Sequence, residues 1–298
     1  MSSSESWADM MKTCVSSYSY SQLLNSKKYD QLSIMKVAKE MGFDAIEFTD
    51  LCPPEGVSEA EFARQIKAES DAIGLPVASY TIGADFINCE NIDDEVARVK
   101  AKVDIADILG VKVMRHDATG GYRTEEKAYK GFDQALPSLI RGCKAVTEYA
   151  KTKGIATCIE NHGFFSQESL RIDKLVTGVA DANFGTLVDV GNFACADDPS
   201  PVAVGRVANY AKHVHVKDFH IKDGCGVNPG RGFFRSRGGN YLRGAIIGHG
   251  DIPVKQCLWI LKNAGYDGYV SVEFEGMEDC LTGISIGLEN LKAMIESI

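Results

Sequence analysis

The 298-residue chain lacks any surplus of positive charge: 32 Lys and Arg stand against 41 Asp and Glu, a formal net charge of −9. That opposes a nucleic-acid partner, because phosphate binding draws its affinity from clustered basic side chains. No window approaches ~18 consecutive apolar residues, so no membrane span is expected. The amino-terminal MSSSESWADMMK has no basic region followed by an apolar run. The expectation is a cytoplasmic protein without a secretory signal. None of the nine cysteines forms a CxxC pair, and their number is odd. This reads as reduced thiols rather than a disulfide frame or a structural zinc site. No stretch rich in Pro, Gly or Ser splits the chain, so one domain spanning residues 1–298 is expected.

What is present is an alternation. Short apolar, β-branched runs predict strands near 12–18, 44–49, 75–80, 111–116, 155–160, 185–190, 212–217 and 268–274. Between them lie helical patterns at 31–41, 58–73, 91–109, 125–153, 168–180, 199–210, 253–264 and 283–297. Gly42, Gly74, Gly110, Gly154 and Gly265 each stand between a helical pattern and the next strand. A helix that ends on glycine and drops into a buried strand is the αβ junction of a parallel sheet. Eight such units fit a (β/α)₈ barrel of the TIM type, whose usual size is ~250 residues. A doubly wound sheet competes, but no GxGxxG follows the first strand.

The rhythm breaks from Asp218 to Ile252, where nine glycines and Arg231, Arg235, Arg237 and Arg243 occur. The expectation is a long loop after strand 7, at the carboxyl end where barrel active sites are built. It reads as a lid or substrate-contacting loop, against the plainer reading of a solvated surface excursion.

Four buried strands end in metal-ligand residue types: Glu160 in CIENH, Asp189 in LVDVGN, His215 in HVHVK and Glu273 in SVEFEG. Strand alternation lets His213, His215 and Lys217 point into the barrel while Val214 and Val216 face the helices. Ser271, Glu273 and Glu275 share the inward face in the same way. Taken singly, a strand-end Asp is commonly a helix cap and a lone His a satisfied core residue. Together, three carboxylates and one imidazole converge on one point, and packed carboxylates need a positive partner. One divalent cation is expected, Mn²⁺ first, with Mg²⁺ or Co²⁺ as alternatives, because the ligands are oxygen-rich with one histidine.

At these residues the chain resembles a known family. IEN, LVDVGN, HVHVKD and IIGHGDIPVKQCLWILKNAGYDGYVSVEFEG are similar to the xylose isomerase-like TIM-barrel superfamily. Within it the likeness is to ketose 3-epimerases, inosose dehydratases and sugar phosphate isomerase/epimerase-type proteins. The resemblance implies that Glu160, Asp189, His215 and Glu273 bind the metal. It also implies that the two glutamates transfer protons on opposite faces of a sugar carbon. Asn192 stands where the epimerase branch often has a histidine, a departure that weakens plain 3-epimerase activity.

The chemistry expected of such a site is removal of a proton next to a carbonyl, through a metal-stabilised enediolate. Glu160 and Glu273 are the expected proton-transfer pair. His162, two residues past Glu160, is a second candidate base. Its Glu-x-His arrangement also resembles the catalytic subunit of C-glycoside deglycosidases, which implies a possible small partner subunit. Expected substrate contacts are Glu47, His116, Asn192, Lys217, Arg231 and His249, although only one of Arg115 and His116 can face inward. The expectation is a sugar isomerase or epimerase acting on a small-molecule sugar or keto-sugar, as a homo-oligomer. A lyase or dehydratase on a keto-sugar, inosose or 3-keto-C-glycoside is the alternative. A DNA-repair nuclease of the endonuclease IV type would need further histidines and a basic face. A non-catalytic sugar-binding protein would need no intact ligand set.

Overall fold

The structure, a computed structural model, describes residues 11–298. Residues 1–10 of the stretch read for a secretory signal lie outside the described residues. Among the described residues there are eleven strands: β1 Lys12–Ser16, β2 Ala45–Phe48, β3 Val77–Ile82, β4 Val113–His116, β5 Ala156–Glu160, β6 Phe184–Asp189, β7 Ala211–Val216, β8 Asp218–Lys222, β9 Phe234–Arg235, β10 Tyr241–Ala245 and β11 Tyr269–Val272. The larger helices are α1 Gln31–Met41, α2 Glu59–Ile73, α3 Ile92–Leu109, α4 Phe132–Thr152, α5 Ser169–Val179, α6 Ser200–Val207, α7 Val254–Asn263 and α8 Cys280–Glu296.

Eight strands close a parallel barrel in the order β1-β11-β7-β6-β5-β4-β3-β2. These are the eight strands expected, and the chain is a (β/α)₈ TIM barrel. The local reasons follow the sequence. Asp30 and Ser33 form a reciprocal capping box at the start of α1. Gly42 ends that helix at φ 85° and Gly74 ends α2 at φ 65°, left-handed geometry in which a side chain would be strained. The apolar faces of the helices then close over the sheet, with Ile34, Met35, Phe48, Phe62 and Ile66 fully buried between them. No helix among the described residues is long and apolar enough to cross a membrane.

Two expectations are corrected. The pattern at 125–153 yields a helix only from Phe132, because Gly131 stands as its extended N-cap and residues 125–129 form turns. The segment 218–252 is not one long loop. It folds into a three-stranded antiparallel sheet in the order β8-β10-β9. Its alternation was hidden by glycines: Phe219 and Leu242 are fully buried, yet their neighbours give no regular polar partner. Asp218 ties the return of the chain, accepting backbone N–H groups of Phe219, Gly248, Gly250 and Ile252 at 2.8–3.1 Å.

Candidate active site

Barrel register decides which strand ends meet. Asp189 of β6 lies level with His215 of β7, and His215 lies level with Ser271 of β11. Glu273, one residue past β11, therefore stands beside the end of β7, its N–H donating to the Val216 carbonyl at 3.0 Å. Glu160 ends β5 on the next wall. One ligand atom from each of Glu160, Asp189, His215 and Glu273 falls within 4.8 Å of the others, and all four residues are buried.

The donors are aimed. Asp189 Oδ1 accepts the N–H groups of Gly191 and Asn192 at 2.8 and 2.9 Å, while buried Oδ2 has no hydrogen-bond partner. Asn161 holds this strand end from both sides, donating to the Asp189 carbonyl and accepting its N–H at 2.8 and 2.9 Å. His215 turns Nε2 to within 2.6 Å of Glu47 Oε1. Its Nδ1 faces Glu273 Oε2 at 3.5 Å and Glu160 Oε1 at 3.8 Å, also without a hydrogen-bond partner. Unpartnered buried oxygen and nitrogen atoms facing one point are costly unless a cation joins them. Three oxygen donors and one imidazole fit Mg²⁺, Mn²⁺, Co²⁺ or Zn²⁺, so the residues present fit a divalent ion.

Electrostatics point the same way. Lys217 Nζ lies 2.7 Å from Glu273, 3.3 Å from Glu275 and 3.5 Å from Asp189. Burial would raise the Glu273 carboxyl, but Lys217 and His215 hold it well below its ordinary range. Asp189 is not so compensated: burial pushes it up to about 6, Lys217 opposes, and Glu160 and Glu273 add to the rise. The cluster holds more carboxylate than its own cations balance.

Glu47 was expected to meet a sugar hydroxyl. Instead it is fully buried, with Oε1 near His215 and Oε2 2.6 Å from His213 Nε2. Burial alone would raise its carboxyl, but His215 and His213 hold it down at about 2. Both oxygens are engaged inside the barrel, where Glu47 orients the imidazole of His215. Such outer carboxylates typically strengthen metal binding about 10–100-fold. Glu47→Gln is therefore expected to weaken the affinity of the Glu160, Asp189, His215 and Glu273 group for a divalent ion by roughly that factor with the fold unchanged, read by metal titration. Unaltered affinity would refute this role.

The other expected contacts divide. Lys217, Asn192 and His162 line a cavity of about 380 Å³ at the barrel mouth, together with Tyr18, Phe164 and Glu275. Asn192 donates to Glu160 Oε1 at 3.0 Å and accepts from Lys217 at 3.3 Å. His116 is not there. Strand parity turns it outward, fully buried, between the rings of Phe86 and Phe184. Arg115 takes the inward place, with Nη2 2.9 Å from Glu160 Oε2 and 2.7 Å from Asp117 Oδ1. His249 is exposed, and its neighbours Gly248 and Gly250 border a separate groove against α7 and α8. The turn held by Asp218 carries it there. Arg231 is exposed beside Gly232, which lines the cavity. The other loop arginines are tied internally: Arg235 over the Tyr241 ring, Arg237 to Glu168, and Arg243 toward Glu278.

Asp117 was missed. Its Oδ1 stands 3.5 Å from His162 Nδ1 and draws that imidazole pKa up. The signal was available, since Asp117 lies two residues after Arg115 on the same strand parity. Phe164 and Phe234 were also missed, and their glycine-rich surroundings carried no periodic cue.

Comparison with known proteins bears on the family and the fold. A family model described as a xylose isomerase-like TIM barrel matches residues 35–296. An inosose dehydratase of Clostridium perfringens (strain 13 / Type A) is 26% identical over 182 residues, 58% of this chain and 60% of that protein. The chain thus spans less than two thirds of that relative. A solved IOLI protein with a bound zinc atom is 14% identical at TM-score 0.74, over 96% of this chain and 99% of the other. An L-ribulose 3-epimerase is 16% identical at TM-score 0.71, over 97% and 95% of the two chains. At such identities the solved structures speak for the fold alone.

Proposed function

Because the chain belongs to the xylose isomerase-like TIM-barrel family, we propose that it is a divalent-cation-dependent lyase of the dehydratase type. Its substrate would be a cyclic polyol ketone or keto-sugar, losing a proton next to the carbonyl and water from the neighbouring carbon. Glu160, Asp189, His215 and Glu273 would hold the ion, with Mn²⁺ the first to test. A bound divalent cation supplies Lewis acidity toward a carbonyl and its neighbouring hydroxyl.

The observation that carries elimination ahead of epimerisation is the engagement of Glu160. An epimerase of the Glu–Glu kind needs both glutamates free to exchange protons. Here Glu160 holds Arg115 on Oε2 at 2.9 Å and Asn192 on Oε1 at 3.0 Å. His162 is the open base instead. Asp117 orients its Nδ1, and the ring lines the cavity. A base fixed by a carboxylate is the arrangement general-base catalysis uses. His162 takes the C–H proton, the adjacent C–O bond breaks, and the departing hydroxide recovers that proton as water. Lys217 lines the same cavity and places an ammonium beside developing negative charge on oxygen. The curated relative is named inosose dehydratase, which makes an inosose the substrate to try first.

Isomerisation or epimerisation is the second reading, supported by Glu273 and Glu275 both reaching Lys217 at the cavity. The test is incubation of the Mn²⁺-loaded protein with an inosose, then with a series of keto-sugars, in D₂O. A product lighter by one water supports the lyase. Deuterium gained without loss of water moves the assignment to an isomerase or epimerase. Neither change with any substrate of the series refutes proton abstraction as the activity.

A further inference from the structure

The turn between β9 and β10 reaches back onto the loop that carries His162. Arg237 donates from Nη1 to Glu168 and from Nη2 to the Phe164 carbonyl. Its own N–H donates to the Cys195 carbonyl at 2.8 Å. Asp197 holds the same turn, accepting from Ser236 Oγ at 2.7 Å and Asn240 Nδ2 at 2.9 Å.

Phe164 is the unusual residue in this contact. Its φ is +62°, a left-handed conformation that bulky side chains rarely adopt. Such geometry persists only where the surroundings over-determine it. Here the Phe164 N–H donates to Gln167 Oε1 at 2.5 Å, and Gln167 Nε2 donates to the Asn192 carbonyl at 2.6 Å. Arg171 Nη1 grips the following carbonyl, Phe165 O, at 2.6 Å, and Glu168 takes Arg171 Nε at 2.8 Å. Phe164 is 45% exposed, so its burial offers the fold little. A glycine would accept this backbone without strain. The ring stands at the cavity two residues after His162.

We propose that Arg237 is a positioning residue. It fixes Phe164 in the left-handed conformation and so sets the cavity wall beside His162. The inserted sheet then serves as a clamp on the base-bearing loop. This rests on reading that cavity as the active site. Ion pairs that reach solvent contribute little to stability, and the Arg237–Glu168 pair is partly exposed, so thermal unfolding of Arg237→Ala stays near that of the unmodified protein.

The test uses the full chain in two measurements. Hydrogen exchange followed by mass spectrometry reads the 162–168 segment. Arg237→Ala raises exchange there roughly tenfold, with the barrel strands unchanged. Arg237→Lys does not rescue it, because a single ammonium lacks the fork that serves two acceptors at once. The second measurement is steady-state turnover of an inosose. Arg237→Ala and Phe164→Ala each lower kcat/KM about tenfold, mainly through KM, and the double variant loses no more than either alone. Unchanged exchange in Arg237→Ala, rescue by Lys, or additive losses in the double variant overturns the proposal. If the unmodified protein turns over no inosose, the substrate assignment fails on that arm and the exchange result still decides the clamp.

Discussion

Glu273→Gln is expected to leave the protein folded and unable to retain a divalent ion. The substitution keeps the side-chain shape, so packing at the end of β11 is preserved. It removes one of three carboxylates proposed to face the ion, and it releases Lys217 from its 2.7 Å partner. Lys217 then settles on Asp189 and Glu275, which already lie 3.5 and 3.3 Å away. The two changes act together, because the ammonium moves onto a second proposed ligand. Metal affinity should fall by at least ~100-fold, and kcat/KM by roughly a thousandfold or more, since the lost ion stabilises transition-state charge by several kcal/mol. Metal analysis after Mn²⁺ reconstitution and circular dichroism check both halves. A folded variant with near-stoichiometric Mn²⁺ sinks the proposed ligand set.

His162→Asn is expected to separate chemistry from metal binding. No ligand in the proposed set is touched, so metal content stays at the unmodified level. Turnover of an inosose should fall by about 10²–10⁴-fold, the usual worth of a positioned general base. Asp117→Asn should give a smaller loss, because the imidazole keeps its place but loses the carboxylate that orients it. Activity within about threefold of the unmodified protein in His162→Asn would return the base to a glutamate and favour the epimerase reading.

Much of this site was legible in the sequence, for reasons of parity. In a strand, every second residue shares a face. HVHVK therefore placed His213, His215 and Lys217 together, and SVEFEG did the same for Glu273 and Glu275. Five αβ glycines marked where β2, β3, β4, β5 and β11 begin, and periodicity located the other strands, their ends and their polar residues. Parity alone did not choose between Arg115 and His116, because that requires the exact phase of β4. The glycine-rich segment 218–252 failed for a different reason. Its pairing partners are distant in sequence, and its short β9 has only two residues.

By itself the sequence determined the eightfold alternation, the barrel class and which residues of a strand share a face. These follow from local periodicity and helix-ending glycines, and they need no knowledge of neighbours. Only the tertiary structure decided which inward side chains meet. Glu47 on β2 finds His213 and His215 on β7. Arg115 on β4 takes an oxygen of Glu160 that a base would need. Barrel closure and stagger bring such residues together across the interior, and no spacing within one strand encodes that distance.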